Sequence, residues 1–416
     1  MIPYFQRLGE RIEKDWLRRS YDEEIFPQLA REALEQAPPD QHVGVEEIVD
    51  WTFGPAQEFR QPHHATFFGE PPVLLFQAPR FYIEALFWLS ATTSIHEHSF
   101  SGAFAVLAGS SVHSHWRFAP ERTINYRMLC GRLERVSTEI LRQGGVRSIH
   151  AGDRLIHQLF HLDLPSVTIV IRTYAERPHL PQYTYLPPGL AIDHDERDEM
   201  LARRLLLLEG MARGHLDGLE RYGRRLIENG DLEALFYVFA TLTRRKVDPE
   251  LLERLYGVAR ERHGAVVDLF HAVCTAERRT RIVTALRAKV YDPESRFFLA
   301  LLMLMPDRDA IFETIRLQCP DVEPLAAIEA WLARMSGKEI IGFDFNHENR
   351  LIFRGLVEGL DAEDLLRRLQ AEFQDTSIDA HRDRLVRHAK RLANSDLFVP
   401  LLSKSPLREP ARAAAG

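Results

Sequence analysis

Ser94-Ile95-His96-Glu97-His98 is the stretch on which the reading of this chain turns. Side chains alternate faces along a strand, so His96 and His98 point the same way. A third histidine, His157, follows about sixty residues later in a second strand-like run, Leu155-Ile156-His157-Gln158-Leu159-Phe160. Three neutral imidazoles converging inside a sheet suit a divalent transition metal. His96, His98 and His157 are therefore read as metal ligands at a catalytic centre.

Around this centre, from about Gln61 to Pro188, long helical periodicity is missing. Short apolar runs are punctuated by Gly, Pro and Ser. Val73–Phe76, Phe81–Leu89, Phe104–Leu107, Val112–Phe118 and Ser166–Tyr174 read as strands, with Gln143-Gly144-Gly145 as a turn. Many short strands at this spacing suggest a sandwich or barrel. Residues 1–60 read as a helical lead-in: Phe5, Leu8, Ile12 and Trp16 recur at three- and four-residue steps, Ile25, Leu29 and Leu34 less regularly, and Pro38-Pro39 ends it.

Beyond Pro187-Pro188-Gly189 the chain turns helical. Leu232, Leu235, Phe236, Phe239 and Leu242 form one apolar stripe, and Asp248-Pro249-Glu250 opens a helix with a capping residue, a first-turn proline and an early acid. Asp292-Pro293-Glu294 repeats that opening forty-four residues later. This period fits stacked helix pairs of HEAT type, with an irregular bundle as the other reading. Gly342-Phe343-Asp344-Phe345-Asn346-His347 interrupts the helices, and the Pro-, Arg- and Ala-rich end is expected to be disordered. The expected organisation is α+β: lead-in 1–60, β-barrel with the metal site 61–190, all-α domain 191–400, tail 401–416.

The 416 residues suffice for two domains, and 45% hydrophobic with 27% charged residues is ordinary for a soluble globular protein. A net charge of −7 argues against a dedicated nucleic-acid binder. Cys130, Cys274 and Cys319 are too few and too scattered for a disulfide framework, which points to a reducing compartment. The first residues lack the apolar core of a signal peptide, and no run is long enough to span a membrane. The expectation is a cytoplasmic protein that engages neither nucleic acid nor membrane.

Ile95–Gly109, IHEHSFSGAFAVLAG, resembles the first motif of the cupin superfamily: an HxH pair, a strand and a turn glycine. Gly152-Asp153-Arg154-Leu155-Ile156-His157 resembles the second. Cupins usually add a glutamate ligand where this chain has Gly102 or Ala103. Three histidines without that glutamate resemble the thiol dioxygenases, the cysteine dioxygenase-like cupins. The resemblance covers about 75–180 and implies Fe²⁺, O₂ and a small-molecule substrate. It also implies a catalytic tyrosine seventeen residues past the third ligand, where Tyr174 stands.

Departures from that pattern fall in the substrate pocket. The cysteine that can cross-link to the tyrosine has no counterpart, Arg172 replaces a histidine two positions before it, and Arg80 is the nearest candidate for the carboxylate-binding arginine. If Tyr174 faces the interior, alternation places Arg172, Val170 and Thr168 beside it. Arg172 then either grips a substrate carboxylate bidentately or makes a structural salt bridge. His161, four residues past His157, is read as a pocket residue that contacts substrate, with metal ligation as the other reading. Val112-His113-Ser114-His115 is a second HxH read as an ordinary strand position. His63-His64 is a loop pair, read as exposed or as reaching the site. Arg203-Arg204 and Arg278-Arg279 read as solvated helix faces, and Asp344 and His347 as a connecting loop or a lid.

The function expected is iron- and O₂-dependent oxidation of a small polar substrate, a thiol or an amino-acid derivative other than cysteine. The alternatives are an oxygen-independent metal-dependent isomerase or lyase, and a non-enzymatic scaffold. The helical domain is expected either to cover the barrel or to dock a carrier or partner protein.

Overall fold

The computed structural model describes all residues except 1, 55–60, 62–68, 91, 194–197, 246, 338–339, 374–377 and 409–416. His63 and His64 lie outside the described residues, as does the end of the expected tail. The chain divides into two compact units, Met1–Arg278 and Arg279–Gly416. No described helix is long and apolar enough to cross a membrane.

The first unit begins with three helices, α1 (Pro3–Leu17), α2 (Phe26–Gln36) and α3 (Val45–Thr52). Among the described residues, eleven strands follow: β1 (Pro72–Gln77), β2 (Phe81–Trp88), β3 (Ile95–His98), β4 (Gly102–Ala108), β5 (Ser110–Asn125), β6 (Met128–Arg142), β7 (Val146–Ile149), β8 (Gly152–His161), β9 (Ser166–Thr173), β10 (Thr184–Leu186) and β11 (Leu190–Ile192). They form two antiparallel sheets. One has the order β1-β2-β9-β4-β7; the other runs β10-β11-β6-β5-β8-β3 and closes on itself. The β-barrel expected is present, and helices follow it.

Alternation sorts each strand's residues between two cores. Phe81, Ile83 and Ala85 of β2, Ile169 and Ile171 of β9, and Ala103 and Ala105 of β4 face outward. They pack under the apolar stripe of α1 and α2: Phe5, Leu8, Ile12, Trp16, Leu29 and Leu34. Each large apolar side chain fully buried there stabilises the fold by roughly 1.5–3 kcal/mol. The opposite face of the same strands supplies Leu86, Trp88, Phe104, Val106 and Val170, which meet Leu141, Leu155 and Leu159 of the second sheet.

Strands β5 and β6 are long, and their pairing shifts register between His115 and Trp116 and again between Pro120 and Arg122. A bulge bends the strand that carries it. The distal halves leave the inter-sheet core and join β10 and β11, where Phe118, Leu129 and Leu133 pack with Ile95, Ile156, Tyr185 and Ala191. Met128, Cys130, Leu190 and Ile192 in turn pack against helices α4 (Glu199–Ala212), α5 (Leu219–Asn229), α6 (Leu232–Arg244), α7 (Pro249–His263) and α8 (Val266–Arg287). The first unit ends within α8.

The Asp-Pro-Glu openings act as the sequence suggests. Asp248 accepts the Glu250 N–H at the start of α7, and Asp292 accepts the Ser295 N–H at the start of Pro293–Leu304. A cap of this kind is worth about 1 kcal/mol. The second unit is helical. In it the Gly342–His347 interruption buries Phe343 and Phe345, and His347 opens the helix His347–Glu358 with its ring 3.0 Å from Glu372. At the end, Leu401, Leu402 and Leu407 are buried.

Candidate metal centre

β3 lies beside β8 with His96 directly opposite His157, and the register shifts between His96 and His98. All three histidines face the space between the sheets, where Phe104 of the opposite sheet has its ring centroid 6.1 Å from that of His157. They are 2%, 7% and 3% exposed respectively. One ring nitrogen from each lies within 4.8 Å of the others, and Nε2 of His98 is 2.8 Å from Nε2 of His157.

The partners of the remaining nitrogens show which atoms face the centre. His96 Nδ1 donates to the Ser94 carbonyl at 2.8 Å, leaving the Nε2 lone pair for a metal. His157 Nδ1 is 2.9 Å from Nε2 of His113. Burial pushes His96 down to about 4. Burial first, then neighbouring positive charge, holds His98 and His157 well below the usual histidine range. Neutral rings are the ligand form. Two imidazole lone pairs facing one another at hydrogen-bond distance repel unless a proton or a cation lies between them. This donor set therefore fits a divalent first-row metal, and imidazole ligands suit Zn, Cu, Fe and Ni alike.

Among the described residues no carboxylate belongs to this cluster, and at Gly102 the strand pairing leaves no place for one. A side chain beginning at Gly102 would place its Cβ 1.9 Å from the Ile171 carbonyl oxygen on β9. There is no room at that position for a glutamate.

The other sequence candidates fall in different places. His161 is fully buried but belongs to another group: Nδ1 lies 2.9 Å from the Ser111 hydroxyl and 3.1 Å from that of Ser166, and the ring stacks on Trp88 at 4.6 Å. The metal-ligand cluster does not include it. Arg172 lies close to the centre. Its guanidinium sits 3.3 Å over the Phe100 ring, and that ring packs 4.5 Å from His98. Arg172 donates to Glu84 at 3.4 Å, while its Nε is buried without a partner. Burial raises the Glu84 carboxyl, and Arg172 offsets part of that rise.

Tyr174 follows the end of β9, so strand alternation no longer sets its direction. It is 40% exposed, with its hydroxyl 3.2 Å from the Ala78 carbonyl and accepting from Gln77 at 3.1 Å. Arg80 is exposed and lies over the Tyr21 ring at 4.5 Å. The structure thus groups Arg172 with the three histidines and seats Tyr174 and Arg80 elsewhere.

The second HxH is more than an ordinary strand position. His113 and His115 face the same inter-sheet space as His157, and together with Glu139 they form a second cluster of possible ligands. The groups they meet come from β6 and β8, far along the chain, so the sequence alone does not bring them together.

Glu97 points to the other side of β3. Its carboxylate accepts the Tyr185 hydroxyl at 2.6 Å and the Tyr183 N–H at 3.2 Å, and burial raises its pKa. It lines a cavity of about 260 Å³ with Asp153, His179, Tyr183 and Tyr185.

No protein-family model matches the chain, and no curated protein does. Among solved structures it is similar to an oxalate oxidase studied structurally and spectroscopically for its mechanism, at 13% identity over 40% of this chain and 78% of the other, with a TM-score of 0.21. An oxalate oxidase in complex with the substrate analogue glycolate matches at 13% identity over 54% and 87%, with a TM-score of 0.22. A recombinant oxalate oxidase in complex with glycolate matches at 12% identity over 50% and 81%, with a TM-score of 0.21.

Proposed function

We propose that this chain is a mononuclear non-heme iron oxygenase that binds Fe²⁺ through His96, His98 and His157. It uses O₂ to oxidise a small polar anion, a thiol or an amino-acid derivative. The observation that carries this reading is the convergence of three buried, neutral imidazoles with no carboxylate among them. His96, His98 and His157 would hold the iron, which would supply the redox chemistry with dioxygen and, with neutral ligands, would keep a net positive charge for an anionic substrate.

The surrounding side chains set the rest. Arg172 brings a fixed positive charge next to His98 through Phe100, and its unpartnered Nε–H is a donor available to a carboxylate. Glu84, already beside Arg172, competes for that charge. A substrate carboxylate at Arg172 displaces it most easily when Glu84 is protonated, the form its burial favours. Phe100, Phe104, Leu155 and Leu159 line the inter-sheet space with apolar surface and keep water from the reacting groups. Tyr174 and Arg80 have no step in this scheme, because their polar groups are engaged at Ala78, Gln77 and Tyr21.

The test is anaerobic loading with Fe²⁺, metal analysis, and oxygen uptake with cysteine, other small thiols and amino acids. One iron per chain and O₂ uptake with a substrate other than cysteine are expected. Arg172→Lys should lower kcat/KM by about tenfold or more, because an ammonium cannot reproduce the planar fork. Efficient cysteine oxidation, undiminished in Arg172→Lys, overturns this account of the pocket. Turnover without oxygen uptake identifies an isomerase or lyase, and metal retention with no turnover identifies a structural metal.

A further inference from the structure

Behind His157, on the side away from the other two ligands, three strands bring together an imidazole, a carboxylate and a guanidinium. His113 on β5 has Nε2 2.9 Å from His157 Nδ1. Its other nitrogen, Nδ1, is 3.1 Å from Oε1 of Glu139, the residue directly opposite it on β6. Arg147 on β7 donates through Nε to that same oxygen at 2.9 Å and through Nη2 to Oε2. His113 is 1% exposed, whereas Glu139 is half-buried.

We propose that Glu139 and His113 are positioning residues: a hydrogen-bonded chain that fixes His157 in the one tautomer able to bind metal through Nε2. This rests on the metal centre described above and adds to it the residues that orient one ligand.

The direction of every bond follows from the carboxylate. An ionised carboxylate only accepts, so His113 Nδ1 must be the nitrogen that carries the proton toward Glu139. A neutral His113 then has a bare Nε2, which accepts from His157 Nδ1–H. His157 is left with its lone pair on Nε2, facing Nε2 of His98 at 2.8 Å. Glu139 stays ionised across the working range: its bonds to His113 and Arg147 hold it at about 2. The other two ligands are supported differently. His96 leans on the Ser94 carbonyl, and His98 Nδ1 has no partner among the described groups. His157 is backed, through His113, by the charge of Glu139.

The same residues offer a rival reading, a second cation held by His113, His115 and Glu139. It fits less well. Both ring nitrogens of His113 are already engaged, and Arg147 puts a positive charge on both oxygens of Glu139. A second dication would have to displace that guanidinium.

Outer hydrogen-bond partners of a ligating histidine typically contribute about 10- to 100-fold in metal affinity. The experiment is a Zn²⁺ titration of the full-length, metal-stripped chain against a chromophoric chelator. It is paired with long-range ¹H–¹⁵N spectra of the histidine rings in the metal-free protein. Wild type should bind one Zn²⁺ and show His157 protonated at Nδ1. Glu139→Ala and His113→Phe should weaken Zn²⁺ by about 10-fold or more, and Glu139→Ala should let the His157 ring sample both tautomers. Should His113→Phe not fold, Glu139→Ala at its half-buried position decides alone. Unchanged affinity and an unchanged His157 tautomer in Glu139→Ala overturn the chain while leaving the metal centre standing. A second Zn²⁺ in wild type that Glu139→Ala loses also overturns it, in favour of the rival site. No Zn²⁺ binding by wild type overturns the metal centre itself, and the chain with it.

Discussion

A buried histidine that is neutral in the fold and protonated when unfolded makes stability depend on pH, and this site holds three. His96 titrates near 4 in the fold, against an unfolded value near 6.5, with His98 and His157 lowered in the same direction. Between those two values the unfolded chain binds more protons than the folded one, so stability rises with pH. Metal-stripped protein should therefore lose roughly 1.4 kcal/mol per pH unit for His96 as pH falls from about 6.5 to about 4, with His98 and His157 adding to the loss. Urea midpoints measured across that window check it; a flat profile would show that the rings are not held neutral by burial. His161 presents a different case. Its Ala variant removes a ring stacked on Trp88 and takes away the imidazole partner of the Ser111 and Ser166 hydroxyls, which should cost about 2–4 kcal/mol. Metal content should stay at the wild-type level; loss of metal from His161→Ala with retention by His157→Ala would reverse the choice of third ligand. Sequence alone placed both histidines on one face of β8, and that much is correct. It could not separate them, because their roles are set by cross-strand neighbours: His96 and His113 for one, Ser111 and Ser166 for the other.

At the scale of elements, what could be read depended on how apolar a strand is. β1, β2, β4, β9 and the Leu155–His161 part of β8 are nearly continuous buried runs, packed from both sides, and the sequence outlined them closely. The long strand β6 escaped notice because its middle, Gly131–Val136, alternates between exposed and half-buried positions, with charged residues among them. β10 and β11 were hidden for another reason: three residues each, flanking Pro187-Pro188, are too short to show a period. That Gly102 or Ala103 stands where the resemblance implies a glutamate was visible in the sequence, but the packing at Gly102 was not. β4 approaches β9 so closely there that a methyl group has no space. Gly102→Ala should push the two strands apart, at a cost of about 1–3 kcal/mol or more, and lower the thermal midpoint accordingly. A midpoint equal to that of wild type would show that the strands can part without penalty.

For the molecule as a whole, the boundary suggested by composition and the boundary made by packing differ in position. Composition changes near Pro188, where strands give way to helices. The packing of the first unit continues to Arg278, because Met128, Cys130, Leu190 and Ile192 share one core with helices α4 to α8. A chain stopped at Pro188 loses β11, which pairs with both β6 and β10, and uncovers that core. It should be poorly folded, with a dye-binding apolar surface and little near-ultraviolet circular dichroism. A chain stopped at Arg278 should fold and hold metal as the full chain does. Zn²⁺ titration of the two fragments decides this; tight binding by the shorter one would show that the sheets alone complete the centre.

The strand that carries the histidine pair has both of its faces committed. His96 and His98 look toward the inter-sheet core, while Glu97 between them is clamped on the far side by the Tyr185 hydroxyl and the Tyr183 amide. A slip of one residue would exchange the faces, setting a carboxylate among Phe100 and Phe104 and turning the imidazoles out. The consequence is one of portability. Grafting the HxH pair onto another scaffold transfers the ligands but leaves behind what keeps them in frame. The tyrosines of the Tyr183–Tyr185 segment, nearly ninety residues away in sequence, belong to the motif as much as the histidines do.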